Sequence, residues 1–83
     1  MARDETLKLK RAVVLALSGD WEGAHAIAQQ NETDPVFCWL HAALHRMEGD
    51  SFNARYWYGR AGRDPDAFAT AETELQAIAV ALA

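Results

Sequence analysis

The chain has a single cysteine, Cys38. One thiol cannot build an intramolecular disulfide framework, and a lone free thiol fits a reducing, cytoplasmic setting. Two prolines and five glycines are too few for a turn-rich β sandwich or a flexible linker. No apolar run approaches the ~20 residues that a membrane span requires. The longest candidate, residues 77–83, is short and reads as the docked end of a helix. Lys8, Lys10 and Arg11 interrupt the first apolar positions, so the beginning of the chain does not read as a signal peptide. Basic side chains are also scarce: 8 against 12 acidic ones, a net charge of −4. A general nucleic-acid binder needs many phosphate-neutralising lysines and arginines, so nucleic acid is not expected as a partner. Neither is a membrane.

What is abundant is alanine, 17 residues of 83, the best helix former. At 51% hydrophobic and 24% charged residues, the chain is expected to fold rather than stay disordered. Its 83 residues suit one domain. Such a small chain buries a modest share of its surface, and a homodimer is an ordinary way to bury more.

Internal similarity organises the rest. Gly19-Asp20 recurs as Gly49-Asp50, Ala24 as Ala54, and Asp34-Pro35 as Asp64-Pro65, all at an offset of 30 residues. Ala12 and Ala42, Val14 and Leu44, and Leu17 and Met47 fall in the same register. Two copies of one supersecondary unit followed by a closing element are therefore expected. Each unit reads as a helical hairpin. The first helix covers about 4–18, with Leu7, Val14, Leu15 and Leu17 as its apolar positions. Gly19 supplies a left-handed stop and Asp20 the next N-cap. The second helix covers about 21–30, with Trp21, Ala24, Ile27 and Ala28 on one face. Asp34 caps a third helix with Pro35 at its first position, where a missing N–H costs nothing. A fourth runs from about 51 to 61. Asp64-Pro65 is expected to cap a last helix over about 65–82, with Phe68, Ala71, Leu75, Ile78, Ala79 and Leu82 as its stripe. The fold class is all-α: hairpins at about 4–30 and 34–61 plus a capping helix, five helices in one domain.

The segments Gly19-Asp20-Trp21-Glu22-Gly23-Ala24 and Gly49-Asp50-Ser51-Phe52-Asn53-Ala54 resemble the turn between the two helices of a tetratricopeptide repeat. Ala54, Tyr58 and Ala61 look like that family's small, aromatic and small positions on the second helix. Ala12 and Ala42 occupy the slot of its small residue on the first. The period of 30 is shorter than the family's ~34. The resemblance covers residues 4–65 and implies a right-handed helical array that presents a curved surface to a protein or short peptide. Residues 41–62 also resemble a family of small uncharacterised proteins, a resemblance that implies no activity.

Three groups of residues carry possible chemistry. Cys38, His41, His45 and Glu48 follow one another in steps of 3, 4 and 3, which places them on one helical face. Histidines four apart suit Zn²⁺ or another borderline metal, with Cys38 or Glu48 as a third ligand. The plainer alternative is packed or hydrogen-bonded imidazoles. The motif lacks the glutamate general base of H-E-x-x-H, since Ala42 follows His41. The second group is Phe52, Tyr56, Trp57, Tyr58 and Arg60, residue types that dominate interface hot spots. Three consecutive aromatics sweep too wide an arc to share one core, so at least one is expected to be half-exposed, or all to pack at an edge against the last helix. The third is Arg55, Arg60 and Arg63, suited to a carboxylate or phosphate or to solvated pairing with Asp50, Asp64 and Asp66. Glu72 and Glu74, two apart on the last helix, do not make an acid–base dyad.

These readings lead to a small tetratricopeptide-like interaction module without catalysis, self-associating as a dimer. The alternative is a metal-dependent or small-ligand enzyme centred on His41, His45 and Glu48.

Overall fold

Backbone physics accounts for most of the architecture. The computed structural model describes residues 3–83, and every regular element among them is an α-helix. These are α1 (Arg3–Leu17), α2 (Trp21–Ala28), α3 (Pro35–Met47), α4 (Ser51–Ala61) and α5 (Ala71–Leu82). No helix among the described residues is long and apolar enough to cross a membrane.

The two glycine–aspartate corners are near copies. Gly19 and Gly49 adopt left-handed backbone with φ of 96° and 83°, a region that side chains with a Cβ disfavour. The amide of each following aspartate reaches back into its helix, Asp20 N to the Leu15 carbonyl at 2.8 Å and Asp50 N to the His45 carbonyl at 3.0 Å. Those acceptors are themselves 30 positions apart. Each aspartate then caps the next helix, accepting from the Gly23 amide in one case and the Asn53 amide in the other. Asp34 accepts from both the Val36 and Phe37 amides at the start of α3, and Pro35 occupies the first helical turn. The sequence repeat is therefore also a repeat of helix-stop and helix-start geometry.

Two corrections concern the ends and faces of helices. The last helix begins at Ala71, not near 65. The Asp64 carboxylate turns back onto the Asp66 amide at 2.8 Å and closes a local turn instead of capping a helix. The Phe68 carbonyl is taken by Arg46 Nη2 at 2.8 Å. Thr70 and Thr73 form the capping box that starts α5. On α1, Leu7, Val14 and Leu17 are exposed, and the buried stripe is Leu9, Ala12, Val13 and Ala16. Leu9 and Val13 supply the apolar bulk of that seam, and Ala12 and Ala16 let neighbouring backbones approach closely. The expected stripe of the last helix holds better: Leu75 and Ile78 are fully buried, and Ala79 and Leu82 pack against the core, as does Phe68 from the turn before α5, whereas Ala71 is not part of that cluster.

Helix α3 is the axis of the molecule. Its residues 37–44 are all buried, and α1, α2, α4 and α5 all pack on it. A helix covered on every side needs apolar residues all round, and Phe37, Trp39, Leu40 and Leu44 supply them. Helices α1 and α2 pair, as do α3 and α4, while α5 lies against α1 and α3. Nevertheless α3 carries polar groups on two sides: His41 and His45 towards α2 and α4, and Arg46 towards α5.

Candidate functional site

Aromatic and imidazole rings from three helices meet on one side of α3. Helix α2 contributes Trp21 and His25, four apart and therefore on one face. The indole N–H of Trp21 donates to the Leu44 carbonyl at 2.7 Å, which ties α2 to α3. Trp21 and His25 stack with centroids 4.5 Å apart. His41 and His45 of α3 stack at 5.0 Å, and Trp57 of α4 covers His41 face to face at 3.9 Å. His25 meets His41 and His45 edge-on at 4.8 and 5.2 Å. The three imidazoles are therefore enclosed between two indoles.

Their hydrogen bonding is specific. Nε2 of His25 and Nε2 of His41 lie 3.0 Å apart. Nδ1 of His45 lies 2.7 Å from Glu48 Oε1; an ionised carboxylate can only accept, so His45 donates. His41 Nδ1 is buried with no hydrogen-bond partner among the described residues. Burial comes first, followed by the adjacent His25 and His45, in pushing His41 down to about 4. His25 is lowered too, mainly by burial and then by His45. Desolvation penalises the charged imidazolium, and three imidazoles in contact penalise it further. His41 is neutral at physiological pH.

Of the four residues that share the sequence-defined face, the structure brings His41, His45 and Glu48 together. Cys38 lies apart, its thiol donating to the Glu32 carbonyl at 3.3 Å. His25 completes the cluster instead: one nitrogen of each of His25, His41 and His45 lies within 4.8 Å of the others. The only sequence signal for His25 is its place four residues after Trp21, which fixes its face on α2 but not what that face meets.

The aromatic run of α4 divides three ways. Tyr58 is buried, Trp57 is half-buried over His41, and Tyr56 and Phe52 are exposed at 54% and 85%. Arg60 reaches the Tyr56 hydroxyl at 3.5 Å and donates to the Glu32 carbonyl at 2.9 Å. Arg63 sits over the Trp39 ring, 3.6 Å from its centroid. The three arginines therefore do not converge on one anion. Phe52, Tyr56, Ser51 and Arg55 line a shallow surface depression.

A second polar cluster lies on the opposite side of α3. Glu74 of α5 is only 1% exposed. Its Oε2 accepts from Trp39 Nε1 at 3.0 Å, and its Oε1 accepts from the Tyr58 hydroxyl and from Arg46 Nη1 at 3.3 Å. Burial and then the bond to this carboxylate hold the Tyr58 phenol well above its ordinary range. Every partner belongs to α3 or α4, so Glu74 pins α5 to the rest of the fold. Its neighbour Glu72 is exposed.

Comparison with known proteins returns no match to any family model, curated protein or solved structure.

Proposed function

We propose that this chain is a helical protein-interaction module of the tetratricopeptide-like kind, without catalysis, whose contact surface is the outward stripe of α4. In the absence of another protein, a second copy of the chain covers that stripe and forms a dimer. The observation that carries the reading is Phe52 at 85% and Tyr56 at 54% exposure, one helical turn apart. Burying one large aromatic side chain is worth roughly 1.5–3 kcal/mol, so leaving two in water is a cost that a partner removes. Arg55 and Arg60 flank them, and aromatic–arginine clusters are typical of interface hot spots. Residues 20–50 carry one basic and six acidic side chains, a net charge of 1 − 6 = −5; the exposed Glu22 and Glu32 among them offer complementary charge on a second copy. Trp57 and Tyr58 do not belong to this surface, because one covers His41 and the other is committed to Glu74.

The enzymatic alternative has less support. His41 is 3% exposed beneath Trp57, which leaves a substrate no open approach to it, and Tyr58 faces Glu74 rather than the imidazoles.

Light scattering coupled to size exclusion tests the proposal. The mass should approach twice the 9.2 kDa of the chain at high concentration. The double variant F52A/Y56A should shift it towards the monomer with unchanged circular dichroism. A monomer at millimolar concentration would remove the self-association, and an unaltered dimer in the double variant would remove α4 as its surface.

A further inference from the structure

We propose that His25, His41 and His45 form a three-imidazole binding site for a divalent cation of the zinc class, with Glu48 holding the His45 ring. The inference is independent of the interaction surface on α4.

The argument begins with nitrogen positions. Imidazole nitrogens ligating zinc tetrahedrally at ~2.05 Å lie roughly 3.4 Å from one another. His25 Nε2 and His41 Nε2 are already 3.0 Å apart. The third ring brings a nitrogen within 4.8 Å of the other two, a gap that side-chain rotation closes. Two helices supply the three ligands, so the site exists only in the folded chain.

The orienting group is also present. A ligating histidine commonly donates its second N–H to a carboxylate, which fixes the tautomer and leaves the other nitrogen's lone pair free. Glu48 Oε1 stands 2.7 Å from His45 Nδ1 in that relation. Zinc takes the lone pair of the neutral imidazole as its ligand. Without a cation the cluster is poorly satisfied. The His25–His41 contact can share only one proton, and among the described residues no donor reaches the second nitrogen of His45. With the protons of His25 and His41 on their Nδ1 atoms, both Nε2 lone pairs are free and a cation is their common acceptor.

Ligand chemistry narrows the choice. Three imidazoles suit Zn²⁺, Cu²⁺ or Ni²⁺ and do not suit Ca²⁺ or Mg²⁺, which take oxygen ligands. Trp21 and Trp57 wall the rings on two sides. His45 keeps 12% of its side chain exposed and His25 is half-buried, so a cation reaches the rings from that edge.

The test uses the tag-free full chain, stripped with EDTA and titrated with zinc chloride by calorimetry. One saturable site is expected, together with a rise in Tm that EDTA reverses. Cobalt should give a visible d–d spectrum without the near-ultraviolet thiolate charge-transfer band that a cysteine ligand would produce. His25→Gln should weaken zinc binding by more than about tenfold, and Glu48→Gln, at an exposed position, by about tenfold. Cys38→Ala should leave it unchanged. No saturable binding at micromolar protein overturns the proposal. So does undiminished affinity in a folded His25→Gln variant, or, should that variant not fold, in Glu48→Gln. Loss of binding in Cys38→Ala would instead assign the metal to the single-helix set of Cys38, His41 and His45, and would overturn the three-imidazole site.

Discussion

Replacing Glu74 by alanine should be among the most damaging single substitutions in this chain. Glu74 is 1% exposed, and its removal strands three donors at once: the Trp39 indole N–H, the Tyr58 hydroxyl and the Arg46 guanidinium. Breaking a buried ion pair from one side costs about 3–5 kcal/mol, and each stranded neutral donor about 1–3 kcal/mol. Arg46 keeps 25% of its side chain in solvent and can rehydrate in part, which offsets some of this. Removing Glu74 also removes the carboxylate's own desolvation cost, and water entering the space it leaves can satisfy part of the freed donors, which brings the expected net loss to about 3 kcal/mol, below the simple sum. An 83-residue domain has roughly 4–12 kcal/mol in total, at ~0.05–0.15 kcal/mol per residue. Urea unfolding followed by far-ultraviolet circular dichroism measures the loss. With a slope of ~1 kcal/mol/M, the midpoint should fall by about 3 M, enough to leave a less stable wild type partly unfolded in water. Tyr58→Phe serves as the internal scale. It removes one donor, leaves the carboxylate two others, and should cost only about 1 kcal/mol. Glu74→Gln should fall between the two, because it keeps the volume and one acceptor but loses the charge facing Arg46. A midpoint for Glu74→Ala no lower than that of Tyr58→Phe would refute the reasoning, since it would mean that α5 is held by its apolar stripe alone.

In metal-free protein, stability should decline as pH falls through the range between 6.5 and about 4. The folded-state value of His41 lies at about 4, below the ordinary 6.5, so the unfolded chain binds the proton first. The stability is fully present above 6.5 and is lost by about 4, amounting to about 3 kcal/mol for this group, with His25 acting in the same direction. Urea midpoints between pH 4.5 and 7.5 check this, and a flat profile would contradict it. Gly49→Ala should lower stability by about 1–2 kcal/mol through backbone strain alone, because nothing lies within 4 Å of where a Cβ would point; a Tm lowered by several degrees is expected, and an unchanged one would contradict the left-handed corner. Asp34→Ala removes the acceptor for the Val36 and Phe37 amides and should cost about 1 kcal/mol. Asp34→Asn should cost less, and thermal unfolding separates the two.

Much of the helix pattern was legible residue by residue. The glycine–aspartate corners at 19–20 and 49–50, the Asp34-Pro35 start and the ends of α4 all depend on interactions within a few positions, which local sequence encodes. The same logic misled at Asp64-Pro65. The motif is identical to Asp34-Pro35, yet the Phe68 carbonyl is held by Arg46 from α3, and a better cap waits at Thr70. A tertiary contact outweighed a local signal there.

The faces of the helices were less legible. Leu7, Val14 and Leu17 are larger than Ala12 and Ala16, and size alone favoured them for the core. Yet α1 turns Leu9 and Val13 inward together with these alanines, because the rotation of a helix is set by how closely its neighbours can approach from both sides. His41, His45 and Glu48 were visible as one face, whereas His25 joins them from another helix, and Glu74 looked like any solvated carboxylate. By itself the sequence determined where the first four helices start and stop, to within a residue or two, and that the glycine–aspartate corner occurs twice, since these follow from propensity, capping and spacing within a few residues. Only the tertiary structure decided which imidazoles meet, which carboxylate is buried and which aromatics stay in water, because those outcomes depend on how separate helices pack against one another.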